Sequence, residues 1–171
     1  MTRRMVTALI AAVVVLGAGL YWFQPWKLWQ DQTVREASPT AHGAPTGASS
    51  AAPAARTVAA GVLISHEHST TGTAKLVRLP DGSHTLRLEN LETSNGPDLR
   101  VWLSDAPVKE GVDGWRVFAD GKHVSLGKLK GNKGDQNYTV PAEVNIADYS
   151  SVTIWCDRFD VSFGAAPLRS T

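Results

Sequence analysis

This 171-residue sequence predicts an all-β fold: a single antiparallel β-sandwich domain, with a barrel-like closure as a variant. Two observations favour that class. From Gly61 onward, short apolar runs alternate with turn signals rich in Gly, Pro, Asn and Asp, and no segment keeps a helical period over three turns. The chain length also suits one ordinary domain with accessory segments, so we expect a single core.

The charge balance argues against one class of partner. The 17 Lys and Arg residues nearly match the 16 Asp and Glu residues, which leaves a formal net charge of +1. Nucleic acids and acidic polymers are bound mainly by strongly basic surfaces. We therefore expect no nucleic-acid partner.

The first element of the chain is an apolar segment, residues 5–23. It has no charged residue, and as a helix its 19 residues span about 28 Å, close to the roughly 30 Å of bilayer hydrocarbon. Arg3 and Arg4 precede it, and aromatic residues suited to the headgroup level lie at its end and beyond: Tyr21, Trp22, Trp26 and Trp29. The positive-inside rule then predicts a single-pass signal anchor in the cell membrane, with residues 1–4 cytoplasmic and the C-terminal domain extracytoplasmic.

A cleaved signal peptide is the alternative for this segment, because its basic start and the small residues at 17–19 also suit one. The protein would then be secreted. The anchor is favoured, since the apolar run exceeds the 7–15 residues usual for a signal core. Both interpretations export the domain.

A linker is predicted between the anchor and the domain, over residues 24–58. Its main part, residues 31–58, is rich in Ala, Ser, Thr, Pro and Gly and contains no aromatic residue. Such a segment buries too little apolar area to offset its chain entropy, so we expect it to be disordered. The folded domain is then predicted over residues 59–171.

The strands of the domain are predicted from alternation and turn chemistry. A hairpin is expected over residues 76–88, where Asp81 and Gly82 supply the positive φ angles of a tight turn. Residues 99–103 alternate and place Leu99, Val101 and Leu103 on one face. Further strands are expected at 115–118, 124–129, 138–140, 152–156 and 159–163.

Cys156 is the only cysteine, so it cannot form an internal disulfide. It is a buried thiol, a reactive thiol, a ligand or an intermolecular link. Alternation places it on one inward face with Val152 and Ile154, and a bulge or tight bend at Asp157-Arg158 would bring the following apolar residues back inward. A neighbouring cation would be needed to make it a thiolate, and Arg158 is the only adjacent one.

With these residues in view, the domain resembles the DM13 family over about residues 60–168. Three blocks carry the resemblance: residues 95–103, 126–138 and 152–159. The resemblance implies a β-sandwich related to the DOMON superfamily and a proposed electron-transfer role for the cysteine that corresponds to Cys156. In the family this cysteine is proposed as a redox thiol or as a ligand to a prosthetic group such as haem, and the residues beside it are Trp155, Asp157, Arg158 and Phe159.

A haem ligated by Cys156 would need a second ligand or an open position. The domain contains no methionine, so histidine is the remaining candidate. His66 and His68 are two residues apart and would share a strand face, with His84 and His123 as alternatives. Surface histidines at strand ends are the interpretation that these positions favour, and no metal site or C-x-x-C motif is predicted.

Two functions follow for the exported domain. The first is a membrane-anchored redox or electron-transfer module, rather than a stand-alone enzyme, that works through Cys156 with a separate redox partner protein. The second is a non-catalytic binding or adhesion module in which Cys156 is a buried structural residue.

Overall fold

The computed structural model describes residues 3–23, 30–39 and 54–171 and divides the chain into two compact units, residues 1–30 and 31–171. The first unit contains helix α1 (Arg3–Phe23). The predicted helix is thus confirmed, and it begins two residues earlier than the uncharged stretch. Over Arg3–Trp22 it is long and apolar enough to cross a membrane, which fits a signal anchor and a signal peptide alike.

The second unit is built from two β-sheets. Sheet A has six strands in the order β1-β8-β5-β4-β2-β11, and sheet B has five in the order β3-β10-β9-β6-β7. Every strand pair is antiparallel except β1 with β8. The strands are β1 (Thr33–Arg35), β2 (Arg56–Val62), β3 (Ile64–Ser65), β4 (Thr71–Arg78), β5 (His84–Glu92), β6 (Leu99–Ser104), β7 (His123–Lys128), β8 (Lys133–Val140), β9 (Ser151–Cys156), β10 (Val161–Pro167) and β11 (Arg169–Ser170).

One apolar core lies between the two sheets. Alternating residues of both sheets supply it, including Leu86 and Leu88 of β5 and Val101 and Ile154 of β6 and β9, and none of these four side chains is exposed. The predicted β-sandwich is therefore confirmed. The described strands form two separate sheets and not a closed barrel.

The predicted hairpin is present as β4 and β5, with a five-residue loop over 79–83. Only Gly82 of the two predicted turn residues has a positive φ angle, 87°. Asp81 contributes through its side chain instead, because one carboxylate oxygen accepts hydrogen bonds from the Ser83 amide (2.9 Å) and hydroxyl (2.6 Å).

The predicted strand at 115–118 is wrong. This stretch lies in the connection from β6 to β7, which we call the covering segment (residues 105–122), and it contains a 3-10 turn (Val112–Gly114) and helix α2 (Val117–Asp120). β6 is already paired on both sides, with β7 and with β9, so another strand cannot join sheet B beside it. Phe118 instead packs with Trp102 and Trp155 on the outer face of sheet B.

Part of the predicted linker belongs to the sandwich. Residues 33–35 form β1, which pairs in parallel with residues 133–135 of β8, and β2 already begins at Arg56. Hydrogen bonds rather than apolar burial hold this segment, since the Arg87 guanidinium donates to the carbonyls of Glu36 and Ala37 (both 3.1 Å). Residues 24–29 and 40–53 of the predicted linker lie outside the described residues.

Candidate functional site

Cys156 is the last residue of β9 and is fully buried. It lies opposite Leu99 of β6 and Val161 of β10, and it belongs to the core between the sheets together with Val152 and Ile154. The predicted inward orientation is therefore confirmed. Among the described residues, no charged group and no hydrogen-bonding partner contacts the thiol.

The chain reverses directly after Cys156. Residues 157–160 form a turn that joins β9 to β10, so the predicted bend is present, whereas the β-bulge lies further on, between Ser162 and Gly164. The predicted strand at 159–163 is partly wrong, because β10 begins only at Val161. Arg158 is exposed in the turn, and Phe159 is 57% exposed there.

An ionic network ties the turn to the neighbouring strands. Arg100 lies between Asp98 (Nη2 to Oδ2, 3.2 Å) and Asp157 (Nε to Oδ2, 3.0 Å), and Lys128 Nζ lies 3.5 Å from Asp98 Oδ1. The amide of Asp157 also donates to the carbonyl of Asp98 (2.9 Å). The three sequence blocks that carry the family resemblance thus meet at this end of the sandwich.

His66 lies on the other side of sheet B from the thiol. Its Nδ1 lies 2.7 Å from the Ser162 hydroxyl, and its Nε2 lies 3.0 Å from the carbonyl of Lys109, in the covering segment. Because a carbonyl only accepts, Nε2 carries the proton and Nδ1 accepts from Ser162. Desolvation lowers the pKa of His66, although its bond to the Lys109 carbonyl opposes that shift. His66 and Cys156 are therefore not brought together.

His68 is nearer to the core that contains Cys156, but it contacts a different residue of it. Its ring packs on Phe163 at a centroid distance of 3.9 Å, and its Nε2 lies 3.8 Å from the Glu67 carboxylate. The side chain is 37% exposed. His84 begins β5 in sheet A, and His123 begins β7 at the edge of sheet B.

The packing around Cys156 does not fit a haem. Two surface cavities stand out, one of about 470 Å³ near Leu76 and Tyr149 and one of about 280 Å³ near Pro39 and Leu79. Neither is lined by Cys156 or by a histidine. An axial thiolate needs open space on its metal side, whereas this sulfur is enclosed by core side chains.

Trp155 precedes Cys156 but faces the opposite way. It packs on the outer face of sheet B with Trp102, Phe118, Ala106 and Ala165. Sequence reasoning named Trp155 only as a neighbour of the cysteine and gave Trp102 no role. Alternation along β6 and β9 was the signal, because it places both tryptophans on the face that does not carry Cys156.

The fold and this site define an antiparallel β-sandwich with one buried cysteine at the end of a central strand. The family model described as "Electron transfer DM13" matches residues 62–168, which is more than half of the chain. The chain therefore belongs to this electron-transfer family, as the three sequence blocks indicate. No curated protein and no solved structure matches it significantly.

Proposed function

We propose that this chain is an electron-transfer domain held at the outer side of the cell membrane by helix α1, with its N-terminus in the cytoplasm. Membership of the electron-transfer family supports the first part. The anchor is supported by a helix whose described side chains are exposed rather than buried in a core, and by the two arginines at its start.

The redox group we propose is the Cys156 thiol, acting by one-electron chemistry. A fully buried sulfur cannot meet a second thiol or a peroxide, so disulfide and sulfenic acid formation are disfavoured. Transfer of a single electron needs no atomic contact with the partner. In that step the thiol loses one electron to an oxidised metal centre of a partner protein. It also loses one proton to water when the exposed turn at residues 157–160 opens beside it, which leaves a thiyl radical.

The observation that carries the proposal is the enclosure of the thiol, and a titration tests it. In the full chain in detergent, we expect a thiol reagent to modify no cysteine in the folded state and one after unfolding. A one-electron oxidant such as hexachloroiridate should take one electron more from the native chain than from Cys156→Ser. Equal consumption by the two proteins would contradict the redox role, and a visible haem spectrum on adding haemin would contradict the enclosed site.

Membrane topology needs its own test. With epitope tags at both ends of the full chain, we expect membrane fractionation, loss of the C-terminal tag to external protease and protection of the N-terminal tag. A shortened chain in the medium would instead support secretion after cleavage of the signal segment.

A second function, a binding or adhesion module with a structural cysteine, is favoured by the same burial. Cys156 contacts the core like any small apolar side chain. In that case Cys156→Ser should lower the free energy of unfolding without changing partner binding or electron consumption.

A further inference from the structure

Three aromatic rings stack across the outer face of sheet B. The His123 and Trp102 rings lie 4.0 Å apart with an interplanar angle of 8°, and the Trp102 and Trp155 rings lie 4.9 Å apart at 23°. Exposure falls along the series, from an exposed His123 through Trp102 at 7% to Trp155 at 1%. The stack therefore leads from the protein surface to the residue that precedes Cys156.

Strand register produces this stack. Trp102 of β6 lies opposite Ser125 of β7 and Thr153 of β9. His123 is two residues before Ser125 and Trp155 is two residues after Thr153, which makes them diagonal neighbours of Trp102 on the same face. Aromatic side chains reach such diagonal partners, so three adjacent strands supply one ring each.

The indole N–H groups of the stack find no acceptor in the part of the chain that the structure describes. Nε1 of Trp102 and Nε1 of Trp155 are both buried, and neither has a hydrogen-bond partner among the described residues. A buried donor without a partner costs roughly 1–3 kcal/mol, so ordinary packing would favour Phe here. An indole differs from a phenyl ring in being far easier to oxidise by one electron.

His123 offers a contact at the surface end. Its Nδ1 lies 3.3 Å from the carbonyl of Gly121, so Nδ1 carries the proton and Nε2 keeps its lone pair. An imidazole held in this way can contact a metal centre or its ligands through Nε2. It can do so while its ring remains stacked on Trp102.

We propose that His123, Trp102 and Trp155 form a relay for single electrons between the surface and the interior beside Cys156. The proposal rests on the electron-transfer function above. An oxidised metal centre of the partner takes one electron through His123 from Trp102, and Trp102 takes one from Trp155. The oxidised indole stays a radical cation, because the described residues offer Nε1 no base for its proton. One electron from Cys156 restores it, and the thiol proton passes to water when the exposed turn at residues 157–160 opens beside the sulfur.

A photo-oxidant fixed at the surface tests the relay in the full chain in detergent. A ruthenium polypyridine complex is bound to His123 after His42, His68 and His84 are replaced by Gln, and flash oxidation gives Ru(III). We expect rapid reduction of Ru(III) together with an indole radical. The matched control carries the same label on His68, with His42, His84 and His123 replaced by Gln. His68 suits this purpose because it packs on Phe163, a ring that is not readily oxidised.

Conservative substitutions identify the rings that carry the electron. Trp102→Phe keeps an aromatic ring in the fold, and we expect it to abolish the indole radical. Trp115→Phe should leave the radical unchanged. Trp115 also has a buried indole N–H with no partner among the described residues, but its ring lies outside the stack. Unchanged radical formation in Trp102→Phe, or an equal rate from the His68 label, would overturn the relay and leave a simple packing cluster.

A third variant tests the redox role of Cys156 separately from the relay. Cys156→Ser should leave formation of the indole radical unchanged and lengthen its lifetime, because the thiol can no longer reduce it. An unchanged lifetime would contradict the redox role of Cys156 while the relay stands. Absence of the radical in the His123-labelled protein would contradict the relay itself.

Discussion

The two outer faces of the sandwich bury polar groups in opposite ways. On sheet A, the buried guanidinium of Arg87 donates to the Glu89 carboxylate, to Asp135, to Asn137 and to two backbone carbonyls of residues 36 and 37. On sheet B, the indole N–H groups of Trp102 and Trp155 are buried without any acceptor among the described residues.

This difference separates a structural face from a candidate functional one. Satisfied networks rigidify a fold, and the network on sheet A fixes the β1 segment to β8. Unsatisfied donors lower the free energy of unfolding and call for another explanation. The electron relay supplies one for Trp102 and Trp155, because the indole ring is what the proposed function needs.

The largest expected effect is on sheet A. We predict that Arg87→Met lowers the free energy of unfolding of the full chain in detergent by about 3–5 kcal/mol, because it leaves carboxylates and carbonyls without their buried partner. Urea unfolding followed by tryptophan fluorescence measures the change. Lys75→Met is the matched control: its ion pair with Glu89 is more exposed, so about 0–1 kcal/mol is expected. A smaller loss for Arg87→Met than for Lys75→Met would show that the network does not hold the face.

The next largest effect on the free energy of unfolding is expected in the core between the two sheets. Cys156→Ser places a hydroxyl in an apolar core, and we expect a loss of about 1–3 kcal/mol in the free energy of unfolding. Cys156→Ala removes the sulfur without adding a polar group, so it should be the less destabilising of the two in the same urea series. A serine variant as stable as the native chain would mean that this end of the core is not apolar.

Alternation predicted the faces of single strands well. The inward sets Leu99, Val101 and Leu103 of β6 and Val152, Ile154 and Cys156 of β9 are all in the core, because residue period alone decides which side of a sheet a residue takes. The helix at residues 5–23 was equally readable from its apolar length.

What alternation cannot show is which strands are neighbours and what covers them. β6 pairs with β9, about fifty residues later, so no local pattern places Trp102 beside Trp155. The composition of residues 31–58 predicts a linker where β1 lies, because hydrogen bonds to β8, a hundred residues away, hold this strand in place of apolar contacts. Residues 115–118 looked like a strand because apolar residues that cover a sheet resemble those within one.

The outer face of sheet B should tolerate loss of its indole N–H groups. We predict that Trp102→Phe lowers the free energy of unfolding by only about 1–2 kcal/mol, since the smaller ring leaves a cavity while an unpartnered donor disappears. Trp115 packs against the inner core, but it also has a buried indole N–H with no partner among the described residues, so Trp115→Phe should behave alike in the same urea measurement. A loss as large as that of Arg87→Met would mean that the indole N–H makes a hydrogen bond, and the contrast between the faces would fail.

The smallest effect is the pH dependence, in which the Glu89 ion pair on sheet A and His66 on sheet B respond over different ranges. Hydrogen bonding to Lys75 lowers the pKa of Glu89, against desolvation, from its ordinary 4.5, so this ion pair loses its stabilising effect only as the pH falls through that region. Desolvation lowers the pKa of His66 on sheet B below its ordinary 6.5.

As the pH falls below 6.5, the unfolded chain therefore binds a proton at residue 66 before the folded chain does, and stability declines until folded His66 is also protonated. We predict a fall in the free energy of unfolding between pH 7.5 and 5.5, approximate limits set by the ordinary histidine pKa. His66→Gln should flatten it. His84→Gln is the control, because desolvation also lowers the pKa of His84, and any slope left in His66→Gln should vanish with it. If the native chain and His66→Gln show the same slope, the buried His66 does not cause the loss of stability in this pH range.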